Sequence, residues 1–260
     1  MISILFVVLS AVGPSPIVID EARPTHIVQP EEPRRARVDA RGASRIVIIA
    51  RAGWLRVEGR PDATEVLAEG TARAPRDDLL EKITLTGTRE GDIVRIVVEL
   101  PDTKGMGWNW DNDNPPSLDL TVNVPSTIAV EIEDSSGEMR VHGTGALEIT
   151  DGSGAIEIRE VGGALRVEDG SGGVEIENVR GDVTVEDGSG EIDVRDVTGS
   201  VSLRDGSGSI TARGVGGSVH VLRDGSGGIR VIDVGGDFIV ERGRRRGISY
   251  DGVKGKVRVE

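Results

Sequence analysis

The tetrapeptide Asp-Gly-Ser-Gly starts at Asp151, Asp169, Asp187, Asp205 and Asp224, and a degenerate copy, "DSSG", starts at Asp134. These starts lie 17, 18, 18, 18 and 19 residues apart, the last long because Leu222 is an extra residue in "VHVLRDGSG". No other feature constrains the fold as strongly, because every copy of a repeat must adopt the same local structure and bury itself against its neighbours. The blocks 165–182 and 183–200 nearly superimpose, and each divides into two nine-residue halves, V-x-V-x-D-G-S-G-x and V-x-I-x-x-V-x-G-x. Alternating V-x-V is a short strand with one buried face. Glycine at the eighth place of each half (Gly172, Gly181, Gly190, Gly199) predicts a turn with positive φ.

One lap is then strand, turn, strand, turn. Laps stack at about the 4.8 Å strand spacing, with Val167, Val185 and Leu203 in one ladder and Val174, Ile192 and Ile210 in the opposing one. The predicted fold is all-β: a single-stranded β-solenoid (β-helix) of about 18 residues per coil, stable only as a stack. Composition agrees. Aromatics are 2% of the 260 residues and glycines number 37, so the interior must be a narrow one of Val, Ile and Leu.

Residues 131–260 carry the regular repeats. Residues 24–130 hold looser alternating segments ("SRIVIIARAGWLRVEGRP", "EKITLTGT", "DIVRIVVELP") and are expected to form irregular coils of the same solenoid. A loop rich in Gly, Asn, Asp and Pro, 101–117, interrupts them. The first 23 residues read as a signal peptide, with an apolar run from Ile2 to Val12 followed by a breaker, too short to span a bilayer. Export to the periplasm, the cell surface or the medium follows. A buried first strand is the alternative.

The segment "LTVNVPSTIAVEIEDSSGEMRVHG", followed by repeated V-x-V-x-D-G-S-G-x-I-x-V, resembles the bacterial "putative adhesin" family of unknown function, also called the toast-rack domain. The resemblance covers most of residues 35–260. It implies an envelope-associated β-solenoid, some relatives occurring with envelope-stress systems, and it brings no catalytic residues with it.

Charge and residue types narrow the function classes. The net charge is −13; residues 131–241 have 9 basic against 23 acidic side chains, and residues 242–260 have 7 against 2. An acidic body argues against nucleic acid, which selects basic surfaces. There is no cysteine, which excludes disulfides, thiolate metal sites and cysteine nucleophiles. The three histidines, His26, His142 and His220, stand apart from any nucleophile motif. No catalytic residue, cofactor or metal ligand is assigned, and the chain reads as a non-enzyme.

The aspartate ladder Asp151, Asp169, Asp187, Asp205 and Asp224 admits two readings. It is either a calcium-binding edge or a set of Asx-turns in which each Asp closes its corner. The second is expected, with the carboxylates solvated at corners where burial cannot raise an acid's pKa. A polysaccharide-binding or -degrading β-helix is a further alternative, since hydrolysis needs only two well-placed carboxylates. The opposite edge, Glu160, Asn178, Asp196, Gly214 and Asp233, is an incomplete acidic set. Trp108 and Trp110 in "WNWDNDN" could meet sugars or a lipid interface, or cover the solenoid flank. Arg242, Arg244, Arg245 and Arg246 replace the acidic corner on the last lap. They offer a basic end for an acidic protein, an envelope polymer or a membrane surface. That end is also expected to be an open β edge, suited to self-association.

Overall fold

The computed structural model describes residues 29–102, 115–243 and 247–260. The apolar run 2–12, Trp108, Trp110 and Arg244–Arg246 lie outside the described residues, as does most of loop 101–117.

The irregular part contains β1 (Glu31–Asp39), β2 (Arg45–Ile49), β3 (Leu55–Arg60), β4 (Glu65–Arg73), the one-turn helix α1 (Asp77–Leu80), β5 (Thr84–Glu90), β6 (Ile93–Glu99) and β7 (Ser117–Pro125), and the regular laps open with β8 (Ala129–Glu133) and β9 (Met139–His142). The regular part continues with β10 (Leu147–Asp151), β11 (Ile156–Val161), β12 (Leu165–Asp169), β13 (Val174–Val179), β14 (Val183–Asp187), β15 (Ile192–Val197) and β16 (Val201–Asp205). It ends with β17 (Ile210–Val215), β18 (Val219–Asp224), β19 (Ile229–Val234), β20 (Phe238–Val240), β21 (Ile248–Val253) and β22 (Val257–Val259).

These strands form two facing eleven-stranded sheets. Sheet A runs β1-β4-β7-β3-β9 and then every odd strand to β21; sheet B runs from β22 through the even strands to β8, then β2-β6-β5. From Ala129 onward each lap contributes one strand to each sheet and pairs in parallel with the laps on either side. This is the expected β-solenoid, with the expected ladders. Val167 pairs with Val185 and Val185 with Leu203, while Val174 pairs with Ile192 and Ile192 with Ile210. The extra residue of the nineteen-residue lap is absorbed as an irregularity after Leu203, beyond which Arg223 opposes Arg204 and Asp224 opposes Asp205.

The interior is aliphatic because the period-two pleat sends alternate residues inward. Sheet B contributes stacks headed by Leu147 and Ile149, and sheet A stacks headed by Ile156, Ile158 and Val161, all at most 3% exposed. Phe238 is the largest fully buried side chain.

Spatial order departs from chain order near the N-terminus. The lap of β2 and β3 is inserted between the lap of β6 and β7 and the lap of β8 and β9. Beyond these laps the stack turns antiparallel, β1 on β4, β4 on β7 and β5 on β6. This end is closed. A Cβ on Gly87 of β5 would meet Val38 and Ala36 of β1. Leu79, Leu80 and Ile83 are buried around α1, whose corner is held by the Arg34 guanidinium donating to the carbonyls of Ile83 (2.8 Å) and Leu80 (2.9 Å). Pro33 and the arginines of β1 protect its outer edge against further pairing.

Candidate functional site

The corner between sheet B and sheet A contains the aspartates, and the structure corrects their expected environment. In L-x-V-x-D the carboxylate occupies the same parity as the two apolar residues before it, so the pleat turns it inward. Asp134, Asp151, Asp169, Asp187, Asp205 and Asp224 are 1–8% exposed. They are not solvated. Asp151 opposes Asp169, Asp169 opposes Asp187, Asp187 opposes Asp205, and Asp205 opposes Asp224 in a parallel in-register column.

Three of the six carboxylates close their turns as an Asx-turn demands. Oδ1 accepts the backbone N–H two residues on, from Ser171 to Asp169 (3.3 Å), Ser189 to Asp187 (3.0 Å) and Ser207 to Asp205 (2.9 Å). The Oδ2 atoms of Asp134, Asp151, Asp169, Asp187 and Asp205 are buried without a hydrogen-bond partner. Burial is the main reason these acids are harder to ionise than usual, reinforced at most positions by the carboxylates stacked above or below. Asp134 is pushed up to about 7, and Asp169 and Asp205 to about 6. Asp151 and Asp187 are raised by burial as well. Among the described residues, no group of three or more acidic or histidine side chains is arranged to hold a metal ion.

Glycine has two separate roles around the lap. The second glycine of the tetrapeptide has positive φ at Gly154, Gly172, Gly190, Gly208 and Gly227, as expected of the first half-repeat. A Cβ on Gly190 would also stand 1.5 Å from the Gly172 carbonyl oxygen. Gly181 and Gly199, expected to share that conformation, are not in it. There glycine is needed because the previous lap's backbone would lie 2.6–2.7 Å from a Cβ. The positive φ of the second corner falls instead on Glu160, Asn178, Asp196, Gly214 and Asp233, at 55–67°. The incomplete acidic set is therefore a backbone feature: a left-handed residue that lets Val161, Val179, Val197, Val215 and Val234 turn back into the core.

Beside this corner runs an open groove of about 1050 Å³ whose lining includes His142, Glu160, Asn178, Arg180, Asp196 and Thr198. His142 stands between Glu58 (3.7 Å) and Glu160 (3.4 Å), and His220 is 2.9 Å from Glu241. A side-chain ladder at the residue before β14, β16, β18, β20 and β22 escaped the sequence reading. Ser200 N–H donates to Asp182 (2.8 Å), Ser218 to Ser200 (3.1 Å), Asp237 to Ser218 (3.0 Å) and Lys256 to Asp237 (2.7 Å). Its signal was present, since short oxygen-bearing residues recur there at the lap period.

The outer faces carry ion pairs both within strands and between laps. Arg159 meets Glu157, Glu175 and Glu177; Arg166 meets Glu168 and Glu186; Arg195 meets Asp193 and Glu175. Such exposed pairs stabilise weakly, by at most about 1 kcal/mol each. Trp54 is exposed, with the Arg56 guanidinium 6.0 Å from its ring centroid.

The last coil differs from all the others. Ile248, Tyr250 and Val253 of β21 and Val257 and Val259 of β22 take the inward-facing register of their neighbours. Nothing described covers them, so Tyr250 is 54% and Val257 37% exposed. Lys254, Lys256 and Arg258 of this coil are exposed, as is Arg242, whose carbonyl accepts from Asp224 N–H (2.7 Å), while Gly243 is the residue that lies against Asp224. No helix among the described residues is long and apolar enough to cross a membrane.

No family model and no curated protein matches the chain. Similar solved structures include one titled as a "putative cell adhesion protein" from Clostridium sporogenes, 16% identical, covering 89% of this chain and 99% of its own, with a TM-score of 0.34. Another is a "putative lipid binding protein" from Parabacteroides distasonis, 14% identical, covering 86% and 96%, with a TM-score of 0.41. A third is a "putative adhesin" from Bacteroides fragilis, 10% identical, covering 88% and 97%, with a TM-score of 0.28.

Proposed function

We propose that this chain is a non-enzymatic, exported interaction module of the cell envelope, adhesin-like or stress-sensing. It presents a rigid rod whose working surface is the end formed by β21 and β22. The observation that carries this reading is the contrast between the two ends of the stack. One end is sealed by antiparallel strands, α1 and the Arg34 bonds. The other exposes Tyr250 and Val257, two edge strands and a basic rim. An exposed edge strand templates pairing with another chain. The rim selects for acidic character in that chain or envelope polymer and steers its approach.

Export rests on the apolar run 2–12. The calcium-dependent reading of the aspartates finds no support in their geometry, because the free Oδ2 atoms are sealed within the corner.

Binding to an acidic β-forming peptide, and the chain's own association state, test the proposal by light scattering and titration. Replacing Tyr250 and Val257 by Ser and Glu should abolish peptide binding and any self-association while leaving the melting temperature within a few degrees. Charge reversal at Lys254, Lys256 and Arg258 should weaken peptide binding and remove its salt dependence. Unchanged binding and association in both variants would refute the assignment of the working end.

A further inference from the structure

The aspartate column is the one set of buried ionisable groups for which the proposed function has no use. We propose that Asp134, Asp151, Asp169, Asp187 and Asp205 form a proton-binding column that tightens the corner as the surroundings acidify and loosens it as they turn alkaline. The argument starts from register. Asp151, Asp169, Asp187 and Asp205 are stacked lap on lap by a parallel ladder, at about the 4.8 Å separation of hydrogen-bonded strands, and Asp134 precedes them, its backbone bonded to Thr150 and Gly152 of the next lap. Each is at least nine-tenths buried, and each keeps one oxygen that neither solvent nor a protein donor reaches. A buried carboxylate oxygen without a donor is costly, and a bound proton removes both the charge and that cost. A row of like charges in one corner adds mutual repulsion, which proton uptake at alternate members relieves.

The surroundings supply little that would hold the column ionised. Sheet A continues the corner with inward Ile156, Val174, Ile192 and Ile210, and the ionisable residues between corner and strand are the exposed Glu138 and Glu191. On the sheet B side Glu168, Glu186, Arg204 and Arg223 line the outer recess above Asp169, Asp187 and Asp205, two acids against two bases. Arg51 acts on Asp134, and Asp224 closes the column at the lap next to Arg242.

The sign follows. These acids bind protons more tightly in the folded chain than in the unfolded one, where the ordinary value is 3.8. Their contribution to stability is therefore complete below that value and is lost as pH rises through about 6 to 7.

Thermal melts across pH test the inference. The wild type should melt roughly 5 °C higher near pH 5 than near pH 8. The isosteric triple variant D169N/D187N/D205N, which keeps the Oδ1 acceptors, should lose most of that difference. The control H142Q/H220Q should keep it, separating the column from the imidazoles. A wild type with no such drop, or a triple variant that retains it, overturns the proposal. Should the triple variant not fold, infrared spectroscopy of the wild type near pH 6 decides. Protonated-carboxyl absorption is expected, and its absence overturns the column.

Discussion

Asp187 shows how one residue can satisfy a turn while occupying a core position. Its Oδ1 accepts from Ser189 and its Oδ2 faces the sealed corner. The turn chemistry was legible in Asp-Gly-Ser-Gly, whereas the burial was misread. Corners are usually solvated, but the alternation V-x-V-x-D places the fifth residue on the face of the first and third. The glycines divide as sharply. Gly172 has φ near 144° and a Cβ there would lie 1.7 Å from the Gly154 carbonyl oxygen, while a Cβ on adjacent Gly173 would find nothing closer than 3.9 Å. G172A should therefore cost about 3 kcal/mol or more. G173A should be neutral or stabilise by about 0.5–1 kcal/mol, by restricting the unfolded chain. Paired urea denaturation curves check both, and equal losses would contradict the steric account. Positive φ at Glu160 was not legible from its residue type, whereas Asn178, Asp196, Gly214 and Asp233 are types that tolerate the left-handed region, a signal that was present but taken for an incomplete acidic set. Its meaning became visible only when Val161 and Val179 were seen to re-enter the core.

At the level of the element, the strand is a replaceable unit whose identity lies in its register. The nineteen-residue lap tests this, since β18 carries Leu222 as an extra residue, and the ladder regains its pairing at Arg223 and Asp224. Deleting Leu222 yields the regular V-H-V-R-D lap. The deletion variant should fold and melt within a few degrees of the wild type, or above it, because a half-buried residue is removed and a continuous ladder restored. A collapse of the melting temperature would show that the bulge is needed for packing. Leu203 lies fully buried on the partner strand. L203A should cost about 2–5 kcal/mol, since the laps on either side hold their spacing and leave the cavity open. Chemical denaturation measures the loss.

For the whole molecule, the two ends carry the functional argument and the middle carries stability. A calcium-dependent module would melt at a higher temperature with millimolar calcium than with a chelator, because a ligand bound only by the folded state stabilises it. Here the melting temperature should not change, since the free oxygens of the column are inaccessible and no described cluster suits a metal. A rise of several degrees would reinstate the calcium edge. The basic end was legible as a charge reversal after residue 241. Its apolar surface was not, because Tyr250 and Val257 look like ordinary core residues, and only the fold shows that no described lap covers them.

By itself the sequence determined the lap length, the inward-facing ladders and the acidic corner, because these follow from period-two alternation and from glycines at fixed intervals, both local properties. The tertiary structure alone decided three further things. It placed the lap 45–60 between 93–125 and 129–142, it closed one end with antiparallel strands while no described residue covers Tyr250 and Val257 at the other, and it sealed the aspartates from water. Each depends on which segments meet across long stretches of chain, and pairing of that kind is set by the total burial of the stack rather than by any local pattern.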